Sequence, residues 1–190
     1  MTPGFNSLPG FAFYLLITSV LLGCTTQSAQ RLLGTAAQST TFYVVRHAEK
    51  ELGSAPGLTP QGAARAQFYV DFFADTELTQ VYSTPTRRTF ETATPLAQSK
   101  NLEVEEYANG LEFGEFTQGL ITKHPGEHVF IVGHSNTVPL LINGLSRTSD
   151  YADVPHDDFE RLYQVVVQPS GQAEVRLFRV PIADELQTAE

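Results

Sequence analysis

The chain has little positive charge: 12 Lys and Arg stand against 21 Asp and Glu among its 190 residues, giving a formal net charge of −9. It contains no run of basic residues. Affinity for the phosphate backbone of nucleic acids depends on clustered lysines and arginines, so the composition excludes nucleic acid as an expected partner. An anionic substrate would need a local positive pocket, because the molecule as a whole repels it.

Cysteine is equally scarce: Cys24 is the only one, which excludes an intramolecular disulfide. Residues 1–23 also lack Asp, Glu, Lys and Arg, and the run from Phe11 to Leu22 within them is mostly apolar. A run of 12 residues is typical of the apolar core of a signal peptide. It is short for a membrane span, which needs about 20 residues.

The segment from Leu21 to Cys24 resembles the lipobox of bacterial lipoproteins. The resemblance implies that residues 1–23 are a signal peptide, cut before Cys24, and that the Cys24 thiol is lipidated. Residues 24–40 are mostly polar or small and are predicted to form a flexible tether, so only the lipid anchor would contact a membrane. The expected location is the bacterial cell envelope, facing the periplasm. Thr25 in place of Asp favours the outer membrane over the inner one.

Two features of the same segment keep other interpretations open. No Lys or Arg precedes the apolar run, and Leu22 is bulkier than the residue usual at its position. An uncleaved signal anchor, or an apolar segment of a soluble protein, therefore remains an alternative.

Residues 41–182 are predicted to form one domain, followed by a tail over residues 183–190. We expect strands over residues 41–46, 80–83, 103–107, 128–132, 162–168 and 174–180. We expect helices over residues 60–74 with Thr59 as N-cap, from residue 86 until Pro95 interrupts or kinks the helix, and over residues 111–124 and 136–145. This alternation predicts an α/β three-layer sandwich with a mostly parallel central sheet, closed by antiparallel strands.

Two of the predicted strands end on a histidine. Arg46-His47 ends the first strand, and Gly133-His134 follows the strand that begins at residue 128. Ligands of open parallel sheets bind at the carboxyl ends of the strands, and guanidinium and imidazole groups suit a phosphoryl dianion. Nearby positive charge is expected to keep His47 neutral near pH 7 and able to attack phosphorus.

Four segments together resemble the histidine phosphatase superfamily, the phosphoglycerate mutase-like group. They are Arg46-His47-Ala48-Glu49, Leu58-Thr59-Pro60-Gln61-Gly62, the segment 83–93, and Gly133-His134-Ser135-Asn136. The resemblance covers roughly residues 41–180. The chain lacks the long insertions that cap the site in sugar-phosphate mutases, so it more closely resembles the small branch that contains phosphohistidine phosphatases.

The resemblance assigns roles to individual residues. It implies that His47 becomes phosphorylated, that Arg46 holds the phosphoryl group and that His134 stabilises its transfer, with Ser135 also binding phosphate. The Ser-x-Pro-x-x-Arg pattern of the family places the second phosphate-binding arginine at Arg88. Arg87 would then point away, although a shift of one residue would exchange the two.

The proton donor to the leaving group stays open. Many relatives supply a glutamate between the second and third motifs, where this chain has Glu112 and Glu115. Both could instead be solvent-facing charges on a helix. Glu49 is a third candidate, because it lies two residues from His47. Lys50 is a departure, since many relatives have a small hydroxyl residue there.

Other histidines and the phenylalanines are predicted to be structural. His124 and His128 flank a Pro-Gly turn, so we expect surface histidines rather than metal ligands. His156 is expected in a loop outside the site. The phenylalanines expected mostly in the core are residues 68, 72, 73, 90, 113 and 116.

The function predicted from these patterns is a phosphohydrolase that needs neither metal nor cofactor and acts through a phosphohistidine on His47. The substrate would be a phosphorylated small molecule or a phosphoprotein, which means a phosphomonoesterase or a phosphohistidine phosphatase. Cationic side chains would take the role that metal ions play elsewhere. A phosphoglycerate-type mutase and an inactive phosphate-binding lipoprotein module remain alternatives.

Overall fold

The structure is a computed structural model that describes residues 38–108, 110 and 112–180. The predicted signal peptide, Cys24, almost all of the predicted tether and the tail lie outside these residues. No helix in the described ranges is long and apolar enough to cross a membrane.

The described residues form a six-stranded mixed sheet with the strand order β3-β2-β4-β1-β5-β6. The strands are β1 (Thr40–Arg46), β2 (Gln80–Ser83), β3 (Val104–Glu106), β4 (His128–Gly133), β5 (Arg161–Val167) and β6 (Ala173–Arg179). Strands β3, β2, β4 and β1 pair in parallel, while β5 pairs antiparallel with both β1 and β6. This topology confirms the predicted α/β class, with a mostly parallel sheet closed by antiparallel strands.

Four helices connect these strands: α1 (Pro60–Phe72), α2 (Arg87–Ser99), α3 (Phe113–Lys123) and α4 (Thr137–Ser146). Thr59 caps α1 as predicted, since its Oγ1 accepts a hydrogen bond from the Gly62 N–H at 3.0 Å. Pro95 was predicted to interrupt or kink α2, and the first of these alternatives is wrong, because the helix continues to Ser99. The two residues that follow the proline, Leu96 and Ala97, are buried. Packing of this buried face against the core outweighs the unfavourable helix propensity of proline.

The core lies on both faces of the sheet, which makes the three layers. One cluster packs Phe42 and Val44 of β1 against side chains of α3 and α4, including Leu120, Leu141 and Leu145. The other packs Tyr43 and Val45 of the same strand against α1 and α2, including Tyr69 and Leu96. Alternate residues of β1 therefore enter opposite layers, and a central strand buried on both faces is apolar throughout.

Two of the phenylalanines predicted for the core lie at the surface. Phe72 is 42% exposed and Phe90 is 41% exposed. Phe73 instead takes the buried position at the end of α1, where it packs edge-on against Phe130 and Tyr43. The sequence runs two phenylalanines together at this point, and only one of them can face the sheet.

The register of β1 against β4 positions the two motif histidines. Arg46 pairs with Gly133, and the backbone N–H of His47 donates to the Gly133 carbonyl at 2.9 Å. Gly62 of α1 lies against the segment that follows His47. A Cβ added at Gly62 would lie 2.1 Å from the carbonyl oxygen of Glu49, so the close approach of this helix requires glycine.

Candidate active site

A pocket of about 360 Å³ lies beyond the carboxyl ends of β1 and β4. All five residues predicted to bind or transfer the phosphoryl group contribute to its lining. The lining consists of Arg46, His47, Lys50, Arg88, Gly110, His134, Ser135, Asn136, Thr137 and His156. The structure therefore brings together three motifs that are separated by up to about 90 residues in the sequence.

His47 is held in one orientation and one tautomer. Its side chain is buried, and Nδ1 lies 2.8 Å from the carbonyl oxygen of Ala48. A carbonyl oxygen only accepts hydrogen bonds, so Nδ1 of the neutral ring carries the proton. Nε2 then keeps its lone pair, which is the state that a nucleophilic imidazole needs.

His134 lies beside His47, with ring centroids 5.5 Å apart. An Arg88 Nη2 donates to Nδ1 of His134 at 3.2 Å, and a guanidinium cannot accept. Nε2 of His134 therefore carries the proton of the neutral ring and donates to Thr84 Oγ1 at 2.8 Å. Thr84 Oγ1 in turn donates to Thr89 Oγ1 at 3.0 Å, which leaves it free to accept from His134.

Both imidazoles are neutral near pH 7. Burial, followed by the positive charges of Arg46 and Arg88, lowers the pKa of His47 to about 3. Burial, Arg88 and Arg46 also lower the pKa of His134 to about 4. This agrees with the prediction that surrounding positive charge keeps the His47 ring unprotonated, with burial as the larger cause.

The segment that precedes β5 holds the Arg46 side chain in place. Its Nη1 donates to the carbonyl oxygens of His156 at 2.7 Å and Pro155 at 3.1 Å, and its guanidinium lies 4.2 Å from the centroid of the Phe159 ring. Burial, and then the charge of Arg88, lowers the pKa of Arg46. The arginine is thus held in place before any anion binds.

Two donors in this pocket have no hydrogen-bond partner among the described residues. They are the buried Nε atoms of Arg46 and Arg88. Leaving a buried donor of a charged group without a partner is costly, so such groups mark places where an anion can bind. Arg87, in contrast, is exposed and bonds Glu91 Oε1 at 2.6 Å, as predicted for the arginine that points away.

None of the three candidate proton donors lines the pocket. Glu49 is nearly buried and forms an ion pair with Arg65, whose Nη2 lies 2.7 Å from its Oε1. Glu112 and Glu115 are exposed at the N-terminal end of α3. The structure therefore brings the four motif residues and Ser135 together, but places these carboxylates elsewhere.

Two sequence-based expectations about histidines are wrong. His124 is buried, because its Nε2 bonds the Tyr82 hydroxyl at 2.9 Å and its Nδ1 bonds Glu127 Oε2 at 2.7 Å. His156 was expected outside the site, but it lines the pocket, and its Nδ1 lies 3.5 Å from Ser135 Oγ. Both depend on partners distant in sequence.

Three positioning residues were not predicted. Thr84 bonds His134, Phe159 packs under Arg46, and Thr92 Oγ1 accepts from the backbone N–H of Ala48 at 3.0 Å. Thr84 and Thr92 lie inside the second motif, so their position in that segment was a usable signal. Nothing in the sequence distinguishes Phe159 from the core phenylalanines.

Fold and pocket together define an α/β protein with a pocket centred on two neutral histidines and two arginines. The profile of the histidine phosphatase superfamily (branch 1) matches residues 42–117, which include His47 and Arg88. Over these residues, which are less than half of the chain, the sequence is similar to the histidine phosphatase superfamily.

The chain is also similar to a curated relative, uncharacterized protein Rv0525 of Mycobacterium tuberculosis. The two are 34% identical over 90 residues, which is 43% of this chain and 45% of the relative. The match thus spans less than half the length of the curated relative.

Solved structures share the fold. The protein histidine phosphatase SixA, complexed with tungstate, superposes with a TM-score of 0.56 at 17% identity, over 73% of this chain and 96% of that one. The mycobacterial glucosyl-3-phosphoglycerate phosphatase Rv2419c superposes with a TM-score of 0.60 at 10% identity, over 76% of this chain and 100% of that one. At these identities the likeness supports the fold alone.

Proposed function

We propose that the protein is a phosphohydrolase that acts through a phosphohistidine on His47. The observation that carries the proposal is the state of His47: Nδ1 is bonded to the Ala48 carbonyl, Nε2 is unprotonated, and the ring lines a pocket with two arginines. The match of residues 42–117 to the histidine phosphatase superfamily supports phosphatase chemistry.

The reaction follows from this geometry in two steps. The phosphoryl group binds between Arg46 and Arg88, where the unpartnered Nε donors meet its oxygens. Nε2 of His47 attacks phosphorus, the bond from phosphorus to the leaving oxygen or nitrogen breaks, and the guanidinium groups stabilise the charge on the equatorial oxygens. Water then attacks the phosphohistidine, phosphate departs and Nε2 regains its lone pair.

We propose that the hydrolysis needs no metal ion. Arg46, Arg88 and Lys50 already place positive charge around the pocket, which is the electrostatic role that Mg²⁺ plays in many phosphoryl-transfer enzymes. The substrate class is a phosphomonoester or a phosphohistidine. SixA is a protein histidine phosphatase and Rv2419c is a glucosyl-3-phosphoglycerate phosphatase, so the shared fold accommodates either class.

The test is phosphate release from p-nitrophenyl phosphate by the full chain in detergent with EDTA, for wild type, His47→Asn and His128→Asn. His128 begins β4 at the opposite end of the sheet, so its variant is the matched control. We expect chelator-resistant turnover in wild type and in the control, and none in His47→Asn. A phosphoenzyme that is labile in acid and stable in alkali is expected in rapid-quench samples of wild type only. Equal turnover in all three proteins would contradict the assignment of His47.

We further propose that Cys24 carries a lipid that holds this domain at the periplasmic face of the bacterial cell envelope. Support comes from the sequence alone, namely the uncharged apolar run that ends in Leu-Leu-Gly-Cys. In bacterial cells, labelled palmitate should be incorporated into wild type and not into Cys24→Ser. Equal labelling of both proteins, or of neither, would show that Cys24 is not the anchor.

A further inference from the structure

The described lining of the pocket contains no carboxylate. Asn109 and Leu111, which lie beside the described Gly110, have no ionisable side chain either. When the bond from phosphorus to an alcohol or phenol breaks, the departing oxygen carries negative charge until a proton reaches it. The hydroxyls of Ser135 and Thr137 also line the pocket, but an alcohol is too weak an acid to protonate a leaving group near neutral pH. A general acid among the described lining residues is therefore a nitrogen group.

The pocket lining contains two arginines and one amide, which do not act as general acids near neutral pH. The other nitrogen-bearing side chains in the lining are those of His47, Lys50, His134 and His156. His47 is the nucleophile, and its one proton is bonded to the Ala48 carbonyl. His134 has both ring nitrogens engaged, one by Arg88 and one by Thr84. Lysine is a poor proton donor near neutral pH, whereas histidine changes charge between about pH 5 and 8. The remaining group is His156.

The position of His156 suits this role. Its backbone carbonyl accepts from Arg46 Nη1 at 2.7 Å, so the phosphate-binding arginine fixes the main chain of the same residue. Its ring is exposed and lies beside Ser135, the residue that follows His134, at 3.5 Å from the Ser135 hydroxyl oxygen. His156 is thus anchored through its backbone and lies at an exposed part of the pocket lining.

We propose that His156 is the general acid and base of the reaction, an inference that rests on the proposed function. In the first step its imidazolium gives a proton to the leaving oxygen as the phosphorus–oxygen bond breaks and the bond to His47 Nε2 forms. In the second step the now neutral His156 takes a proton from the attacking water, phosphate is released and the imidazolium is restored.

The experiment is a leaving-group series of aryl phosphates from dinitrophenyl to phenyl phosphate, turned over by the full chain as wild type and His156→Asn. General acid catalysis contributes about 10²–10⁴-fold to reactions with poor leaving groups. We expect kcat for phenyl phosphate to fall by about 10²-fold or more in His156→Asn. The loss should shrink steadily as the leaving group improves, because dinitrophenolate departs without a proton. Glu112→Gln and Glu115→Gln are measured in parallel.

Equal losses along the series would show that His156 only binds the substrate and would overturn the proposal. A leaving-group-dependent loss in Glu112→Gln or Glu115→Gln, and none in His156→Asn, would assign the acid to α3 and also overturn it. Wild-type protein that hydrolyses phosphohistidine but no member of the series overturns the His156 proposal, because the reaction then has no leaving oxygen to protonate. Wild-type protein that hydrolyses neither contradicts the proposed function itself.

Discussion

The backbone N–H of Ala48 donates a hydrogen bond to Thr92 Oγ1 at 3.0 Å, and the same hydroxyl donates to the Arg88 carbonyl oxygen at 2.7 Å. Thr92 is fully buried. The carbonyl of Ala48 in turn holds Nδ1 of His47. Thr92 of α2 thus connects the peptide that orients the His47 ring to the helix turn that carries Arg88.

Thr92→Val is expected to lower kcat by about tenfold, because the Ala48 peptide loses the partner that fixes it beside His47. A buried N–H without a partner also costs about 1–3 kcal/mol, so the free energy of unfolding should fall. Both quantities are measured by steady-state kinetics and urea titration. Thr94→Val is the control, since Thr94 Oγ1 makes only the equivalent bond to the Phe90 carbonyl, on an exposed part of the helix. Equal effects of both variants would mean that the bond from Thr92 to the Ala48 peptide contributes nothing specific to catalysis.

Arg88→Gln is expected to lower kcat/KM by about 10²–10³-fold, the usual loss when one preorganised donor to transition-state charge is removed. The neighbouring Arg87→Gln should change it little, since Arg87 is 67% exposed and paired with Glu91. The two variants change adjacent arginines and therefore test whether Arg88 or Arg87 is the second phosphate-binding arginine. A large loss in Arg87→Gln with little in Arg88→Gln would reverse the assignment.

Much of the fold, and the residues that the pocket brings together, could be predicted because local signals and tertiary structure agree. Strand β1 is a continuous apolar run that ends abruptly on Arg46-His47, and a buried parallel strand has this pattern. Thr59-Pro60 carries both the cap and the first helical residue of α1. In such segments one short stretch of chain specifies the structure.

The parts that the sequence did not predict depend on long-range partners. One hydrogen-bond partner of the buried His124 is Tyr82, 42 residues away. The carbonyl of His156, at the pocket, accepts from Arg46, 110 residues away. A histidine in a turn or loop carries no local pattern that reports such a contact, so surface positions are the natural expectation for both.

Stability should fall as the pH drops from about 6.5 towards 4. The pKa values of His47 and His134 are lowered to about 3 and about 4 in the folded protein. In this range the unfolded chain binds protons at both rings and the folded protein does not, so acid favours unfolding. The slope is at most about 1.4 kcal/mol per pH unit for each histidine.

The contribution of one ring is isolated by comparing wild type with His134→Asn in urea titrations at several pH values. Carboxylates titrate in both proteins and cancel in the difference. We expect the stability of wild type to fall more steeply than that of His134→Asn between pH 6.5 and 4. Parallel slopes would mean that His134 is protonated as readily in the folded protein as in the unfolded chain.

Glu49→Gln is expected to reduce stability more than catalysis. Glu49 accepts from Nε and Nη2 of Arg65, while Nη1 of that arginine donates to the Val180 carbonyl, so the pair ties the segment after His47 to α1 and to the end of β6. Removing the carboxylate charge leaves a buried guanidinium uncompensated, which costs about 3–5 kcal/mol when a partner is lost outright and less when an amide replaces it.

Urea midpoints and kcat are compared with those of Glu51→Gln, an exposed neighbour. We expect a lower midpoint for Glu49→Gln alone, with kcat of the folded enzyme reduced by less than about tenfold. A loss of kcat well beyond that at an unchanged midpoint would contradict this prediction and show that Glu49 acts mainly on the position of the segment after His47.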